Sequence, residues 1–162
     1  MVSAPEPSDP ITIPFLLWAR LILELRRRGR GTRESGAFLL ARRNKKPRKV
    51  CAFRCYDDLD PKALNGAIAF HDVGYAALWD YCRQHGFAVI ADVHTHPGPG
   101  VGQSKIDKRN PMMPTMGHTG LIVPHYADTT RWSLRGVGVH EYLGNFQWRY
   151  HEPNKHVLLS WW

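Results

Sequence analysis

The sequence predicts one α+β (mixed α/β) domain, with helices packed on a curved sheet. Two observations point there. Apolar stripes of helical period are interspersed with short strand-like runs, and one of those runs, Phe87 to His96, is apolar almost throughout, the pattern of a buried central strand. The chain has 162 residues, 43% of them apolar and 22% charged, which suits a single packed core.

Residues 1–10 hold three prolines and no periodicity, and are expected to form a frayed tail. Phe15 to Arg28 reads as a helix, with Phe15, Leu16, Ala19, Ile22, Leu23 and Leu25 as its apolar stripe and arginines at the end that suits the helix dipole. Ser35–Arg42 and Lys49–Tyr56 read as strands joined by the polar turn 43–48. A second helix is expected from His71 to His85, stopped by Gly86, with Val73, Ala76, Ala77, Leu78 and Tyr81 facing inward. After the strand Phe87–His96 come a Gly/Pro loop and a short helix from Ser104. A strand near Thr119–Pro124 and two more near Trp132–Tyr142 and Phe146–His151 complete the order β-α-β-β-α-β-α-β-β-β. The domain is thus expected over 11–151, with 152–162 as a C-terminal extension.

The net charge of +8 is uneven: residues 26–49 hold eleven Lys/Arg against Glu34 alone, so +10, and the remainder nets −2. Such a basic region can attract nucleic acid, an acidic protein or a membrane surface, or can be a solvated hairpin tip and helix end. Apolar stretches such as Ile11–Ala19 fall short of the roughly 20 residues that span a bilayer. The N-terminus lacks the basic and apolar regions of a signal peptide. Three cysteines form no even disulfide set. A soluble, cytoplasmic protein is the expectation, with Cys51 and Cys55 as small core residues beside Phe53.

The stretch that carries chemistry is Asp92-Val93-His94-Thr95-His96-Pro97, and then, with seven residues between His96 and Ser104, Ser104-Lys105-Ile106-Asp107. Side chains alternate along a strand, so His94 and His96 share a face about 6.6 Å apart and can converge on one ion. The glycine-rich loop lets the backbone reverse, and a helical turn brings Ser104 and Asp107 to one face at i, i+3. Two histidines and one carboxylate form an open, catalytic type of zinc set that leaves the fourth position to water. Glu34, at the start of an otherwise apolar strand, is the candidate general base for that water. Ser104 is the candidate hydroxyl donor to the oxyanion of a tetrahedral intermediate. Each piece also has a plainer reading: Ser-x-x-Asp caps helices, alternating histidines occur at sheet edges, and Glu34 can pair with Arg30 or Arg33. Of the other histidines, His118 is the one with a possible place behind the ligands.

Glu34 at a strand start, His94-Thr95-His96-Pro97 and Ser104-Lys105-Ile106-Asp107 together resemble the full motif of the JAMM (MPN-plus, JAB-type) zinc metalloproteases. The resemblance implies a JAB/MPN-like curved sheet flanked by helices, Zn2+ on His94, His96 and Asp107, Glu34 as base and Ser104 as oxyanion donor. It also implies a substrate bond after the C-terminal tail of ubiquitin or a ubiquitin-like protein, cut in deconjugation or precursor processing. The tail would lie extended along a sheet edge. Only eleven residues separate Asp107 from Thr119, leaving little room for the insertion with which some relatives grip a second ubiquitin. The compact form looks more like bacterial members that accompany ubiquitin-like conjugation or sulfur-carrier systems, whose proteins are then candidate partners. A nucleic-acid-associated module using 26–49 is the alternative, although Phe38 is the only base-stacking aromatic within that segment.

Overall fold

The computed structural model describes residues 6–129 and 131–161; residues 1–5 of the expected tail and Trp162 lie outside them. In chain order the elements are β1 (Ile11–Pro14), α1 (Phe15–Gly29), β2 (Gly36–Arg42), β3 (Arg48–Cys55), α2 (Tyr56–Leu59), α3 (Asp72–His85), β4 (Phe87–Thr95), α4 (Lys105–Arg109), β5 (Thr119–Val123), β6 (Gly138–Gly144), β7 (Gln147–His151) and β8 (Val157–Ser160). The strands form one mixed sheet of eight in the order β7-β6-β5-β4-β2-β3-β1-β8. The α+β prediction therefore holds, and β4 lies inside the sheet, antiparallel to β2 and parallel to β5.

Strand alternation divides the core into two. Ala37 and Leu39 of β2 join Ala91, Val93, Leu121 and Val123 beneath α1, which contributes Trp18, Leu21, Ile22 and Leu25. Phe38 and Leu40 face the other way, onto Tyr56, Leu59, Leu78 and Cys82 on the α2–α3 side. A strand covered on both faces reads as a continuous apolar run, as β2 and β4 do. Asp92, which pairs with Phe38, and His94 lie on the α3 face of β4.

Several expectations are corrected. On α1, Leu16 is 77% exposed, while Trp18 and Leu21 are buried. On α3, Val73 is 63% exposed and Gly74, Leu78 and Cys82 form the inner line, a rotation of about one residue from the predicted face. The close approach at Gly74 explains it, since a Cβ there would meet the Phe70 ring at 2.6 Å. Cys51 is exposed, unlike the buried Cys55 and Cys82. The register slips there, Leu40 pairing with Ala52 and Ala41 with Val50, so Cys51 is the extra residue of a bulge and leaves the alternation.

Both ends of the chain enter the sheet. Val157–Ser160, within the segment read as an extension, pairs in parallel with β1. In the predicted tail, the Ser8 backbone N–H donates to Glu141 Oε1 at 2.7 Å. The basic run is also divided. Gly36 pairs with His94 at one end of β2 and Arg42 with Phe87 at the other, which sets the arginines of α1 and those of the 43–48 turn about 20 Å apart. Several of these cations are engaged: Arg28 binds Glu24, Asp57 and Asp58, and Arg48 donates to the carbonyls of Asp9, Ile90 and Gly117. Among the described residues, no helix is long and apolar enough to cross a membrane.

Candidate metal centre

The strand β4 ends where the parallel strand β5 also ends, at the carboxyl edge favoured for sites in such sheets. His96 continues past β4 with its backbone N–H on the Val123 carbonyl at 2.9 Å. The loop then turns back, and α4 begins at Ser104. Ser104 Oγ accepts the Asp107 N–H at 3.1 Å, and Asp107 Oδ2 accepts the Ser104 N–H at 2.7 Å. This capping box orients the Asp107 carboxylate. The capping reading of Ser-x-x-Asp therefore holds, and it does not exclude Asp107 as a ligand.

Among the described residues, His94, His96 and Asp107 form a group able to hold a metal ion, their ligand atoms all within 4.8 Å of one another. His94 Nε2 and His96 Nε2 are 3.2 Å apart. Asp107 Oδ1 is 3.7 Å from His94 Nε2, and Oδ2 is 3.4 Å from His96 Nε2. Donors bonded at about 2.0–2.1 Å to a tetrahedral ion are about 3.3–3.4 Å from one another, so the three fit such an ion. His96 Nδ1 lies 3.0 Å from the Gly100 carbonyl oxygen. A carbonyl only accepts, so Nδ1 carries the proton and the Nε2 lone pair is left for the ion, the usual tautomer of a ligating histidine. Burial would raise the Asp107 pKa, but the facing His94 and His96 rings hold the carboxyl well below the usual carboxylate range. The Asp107 carboxylate in turn raises the His96 pKa against its burial.

Glu34 joins this group through register. Ser35 N–H donates to Thr95 Oγ1, and Thr95 N–H donates to the Ser35 carbonyl, each at 2.9 Å. One residue earlier, Glu34 stands beside His96, and its charge contributes to the raised His96 pKa. No ion pair joins it to Arg30 or Arg33 among the described residues; Arg33 donates instead to the carbonyls of Arg28 and Leu64. Glu34, His94, His96, Ser104 and Asp107 all line one cavity of about 1360 Å³.

The sequence reading missed the cavity floor. Asp92 is two residues before His94 on the same face of β4. It accepts from Tyr56 Oη at 3.1 Å and binds His118 Nε2 at 2.7 Å. His118 therefore serves Asp92, and among the described residues no contact joins it to His94, His96 or Asp107. The i, i+2 relation of Asp92 to His94 was readable; its partners, 36 and 26 residues away, were not. The Tyr56 ring fits because Gly36 has no side chain: a Cβ there would lie 2.2 Å from the ring. Phe70 and Tyr75, at 4.7 Å between ring centroids, extend the apolar wall.

A second group, Glu141, His151 and His156, also lies within 4.8 Å. Here the charge of Glu141 is already met by Arg149 at 3.2 Å and by His151 at 2.8 Å. Arg48 also approaches, donating to Ser8 Oγ at 3.1 Å. Arginines on both sides suit a buried polar latch holding Ser8, and disfavour a second cation.

No protein-family model matches the sequence. Among solved structures, the chain is similar to a protein of Desulfitobacterium hafniense at 17% identity and a TM-score of 0.64, over 93% of this chain and 92% of that one. It is similar to a protein of Salinibacter ruber at 15% identity and a TM-score of 0.59, over 92% and 90%. A JAB1/MPN domain protein from Archaeoglobus fulgidus matches at 15% identity and a TM-score of 0.49, over 96% and 100%. The fold is shared with the first two over nearly the whole of both chains.

Proposed function

We propose that the chain is a zinc metallopeptidase of the JAMM (MPN-plus) kind, an isopeptidase that cuts after the C-terminal tail of a ubiquitin or ubiquitin-like protein. The observation that carries this is the near-tetrahedral spacing of His94, His96 and Asp107 with Glu34 beside them in one cavity. It joins the motif resemblance, which supplies the substrate class. The three cysteines, all free, support a reducing, cytoplasmic setting.

A zinc ion held by the three ligands would supply Lewis acidity, polarising the substrate carbonyl and making water a better acid. Glu34 takes the proton from the attacking water and returns it to the leaving amine. Ser104 Oγ uses one lone pair to cap α4, which leaves its O–H to donate to the carbonyl oxygen as negative charge grows there. The apolar wall of Ile68, Phe70, Tyr75 and Met112 excludes water from an extended tail in the cavity. The divided basic run offers no continuous track for a nucleic-acid strand, which favours the enzyme over the nucleic-acid alternative.

The test is incubation of the zinc-loaded protein with a panel of ubiquitin-like fusions, read by intact mass. One fusion is expected to be cut after the modifier's last residue. Glu34→Gln is expected to lose about 10²–10⁴-fold in turnover while keeping its zinc. Turnover unchanged in that variant would remove Glu34 from the mechanism.

A further inference from the structure

Gln103 stands immediately before Ser104 and lines the same cavity as the metal ligands. Its side-chain oxygen Oε1 is buried and meets no hydrogen-bond donor. Arg54 Nε is the other such atom among the described residues, and the Arg54 guanidinium rests on the Tyr81 ring at 4.7 Å, which takes up part of its charge. Gln103 has no such substitute.

The loop that carries Gln103 is fixed at its carbonyls. Gly98 O accepts the His125 N–H at 3.1 Å, Gly100 O accepts from His96 Nδ1 at 3.0 Å, and Val101 O accepts from His140 Nε2 at 2.8 Å. Gly138 makes room for the last of these, since a Cβ there would lie 2.2 Å from Val101 O. Ser104 is locked by its capping box. Gln103 therefore cannot gain a partner by a loop shift without breaking these bonds. A buried acceptor without a donor is costly, and with the backbone fixed, rotation of the Gln103 side chain toward the cavity that it lines would let a ligand N–H meet the oxygen.

We propose that Gln103 is a substrate-positioning residue, whose side-chain carbonyl accepts the backbone N–H of the substrate residue whose carbonyl is cleaved. The proposal rests on the metallopeptidase reading. A neutral amide oxygen suits a neutral N–H, whereas an ammonium group would be better met by a carboxylate. Of the residues lining the cavity, Ile68, Phe70 and Met112 are apolar, and the Tyr56 hydroxyl is engaged by Asp92. Gln103 and Ser104 are adjacent, so one can hold the N–H of a residue while the other meets its carbonyl oxygen.

The test reads binding, so that it does not depend on turnover. The probe is acetyl-Ala-Gly-Gly joined to the lysine side chain, with a second version in which an ester oxygen replaces the N–H of the last glycine. Binding to the zinc-loaded Glu34→Gln protein is measured by calorimetry. The ester is expected to bind about tenfold more weakly, the effect of one hydrogen bond. In the same protein carrying Gln103→Leu or Gln103→Met, amide and ester are expected to bind alike, whereas Gln103→Glu keeps the preference for the amide. Each apolar variant is also expected to melt about 2–4 °C higher, because an unmet buried acceptor is removed. A tenfold amide preference that survives in both apolar variants, or no binding of the amide probe at all, would overturn the proposal. Binding with the expected coupling but no cleavage by the wild type would instead overturn the peptidase reading and leave Gln103 in place.

Discussion

Acid should weaken this fold through buried histidines, His156 foremost, before it touches any carboxylate. His156 is buried, its ring stacked on His151 at 4.1 Å and its Nε2 3.1 Å from Thr119 Oγ1. Burial, then the facing His151, push its pKa from 6.5 down to about 4, with Arg48 and Arg149 acting in the same direction and Glu141 opposing. The folded-state value lies below that of the unfolded chain, so the unfolded chain takes up the proton first. Stability is therefore full above about pH 6.5 and declines as the pH falls through that value toward 4. A difference of about 2.5 pKa units corresponds to about 3 kcal/mol when complete, most of it expressed by pH 4.5. Urea unfolding followed by tryptophan fluorescence at pH 7.5 and 4.5, with chelator present throughout so that metal release does not contribute, should show that loss as a fall of about 1–2 M in the midpoint. His156→Gln should lack this component. An equal fall in wild type and variant would refute the assignment to His156.

A second acid step should follow. Burial would raise Glu141, but His151 and Ser8 hold it at about 2, below its usual 4.5, so its contribution is present above 4.5 and is lost as the pH falls from there to 2. Glu141→Gln should remove that lower step from the same unfolding series. Asp107→Ala should lower zinc affinity at least tenfold in a competition titration against a chromophoric chelator, because two imidazoles remain without their carboxylate. Full occupancy in that variant would contradict the ligand assignment. Gly36→Ala should cost about 1–3 kcal/mol in urea unfolding, since the new Cβ meets the Tyr56 ring at 2.2 Å and the Val93 carbonyl oxygen at 2.8 Å. Stripping the metal with a strong chelator should abolish hydrolysis yet preserve the far-ultraviolet circular dichroism, because neither apolar core includes a ligand.

Much of the site was legible because its parts are local. The alternation of His94 and His96, the reversal through Pro97–Gly102 and the i, i+3 step from Ser104 to Asp107 are all short-range relations, and each is found as read. The helix ends were legible for the same reason: Gly86 adopts the left-handed conformation at φ 67° that closes α3. The inner faces of α1 and α3 were read less well, since an apolar stripe fixes a helix's moment to within a residue or so and the packing partner selects the rest. The bulge that exposes Cys51 left no local mark, because it exists only as a mismatch between two strands.

Taken by themselves, the residues determined most of the element types, the central buried strand and three side chains able to share an ion, since backbone propensity and strand or helix period act over a few neighbours. Tertiary structure decided what depends on distant segments meeting. It paired Ser35 with Thr95 and so brought Glu34 to His96, and it extended the sheet with β1 and β8, two strands far apart in the sequence. It also set Tyr56 and His118 around Asp92. Those relations follow from sheet register and from burial on both faces of β4, and neither is written within any one stretch of the chain.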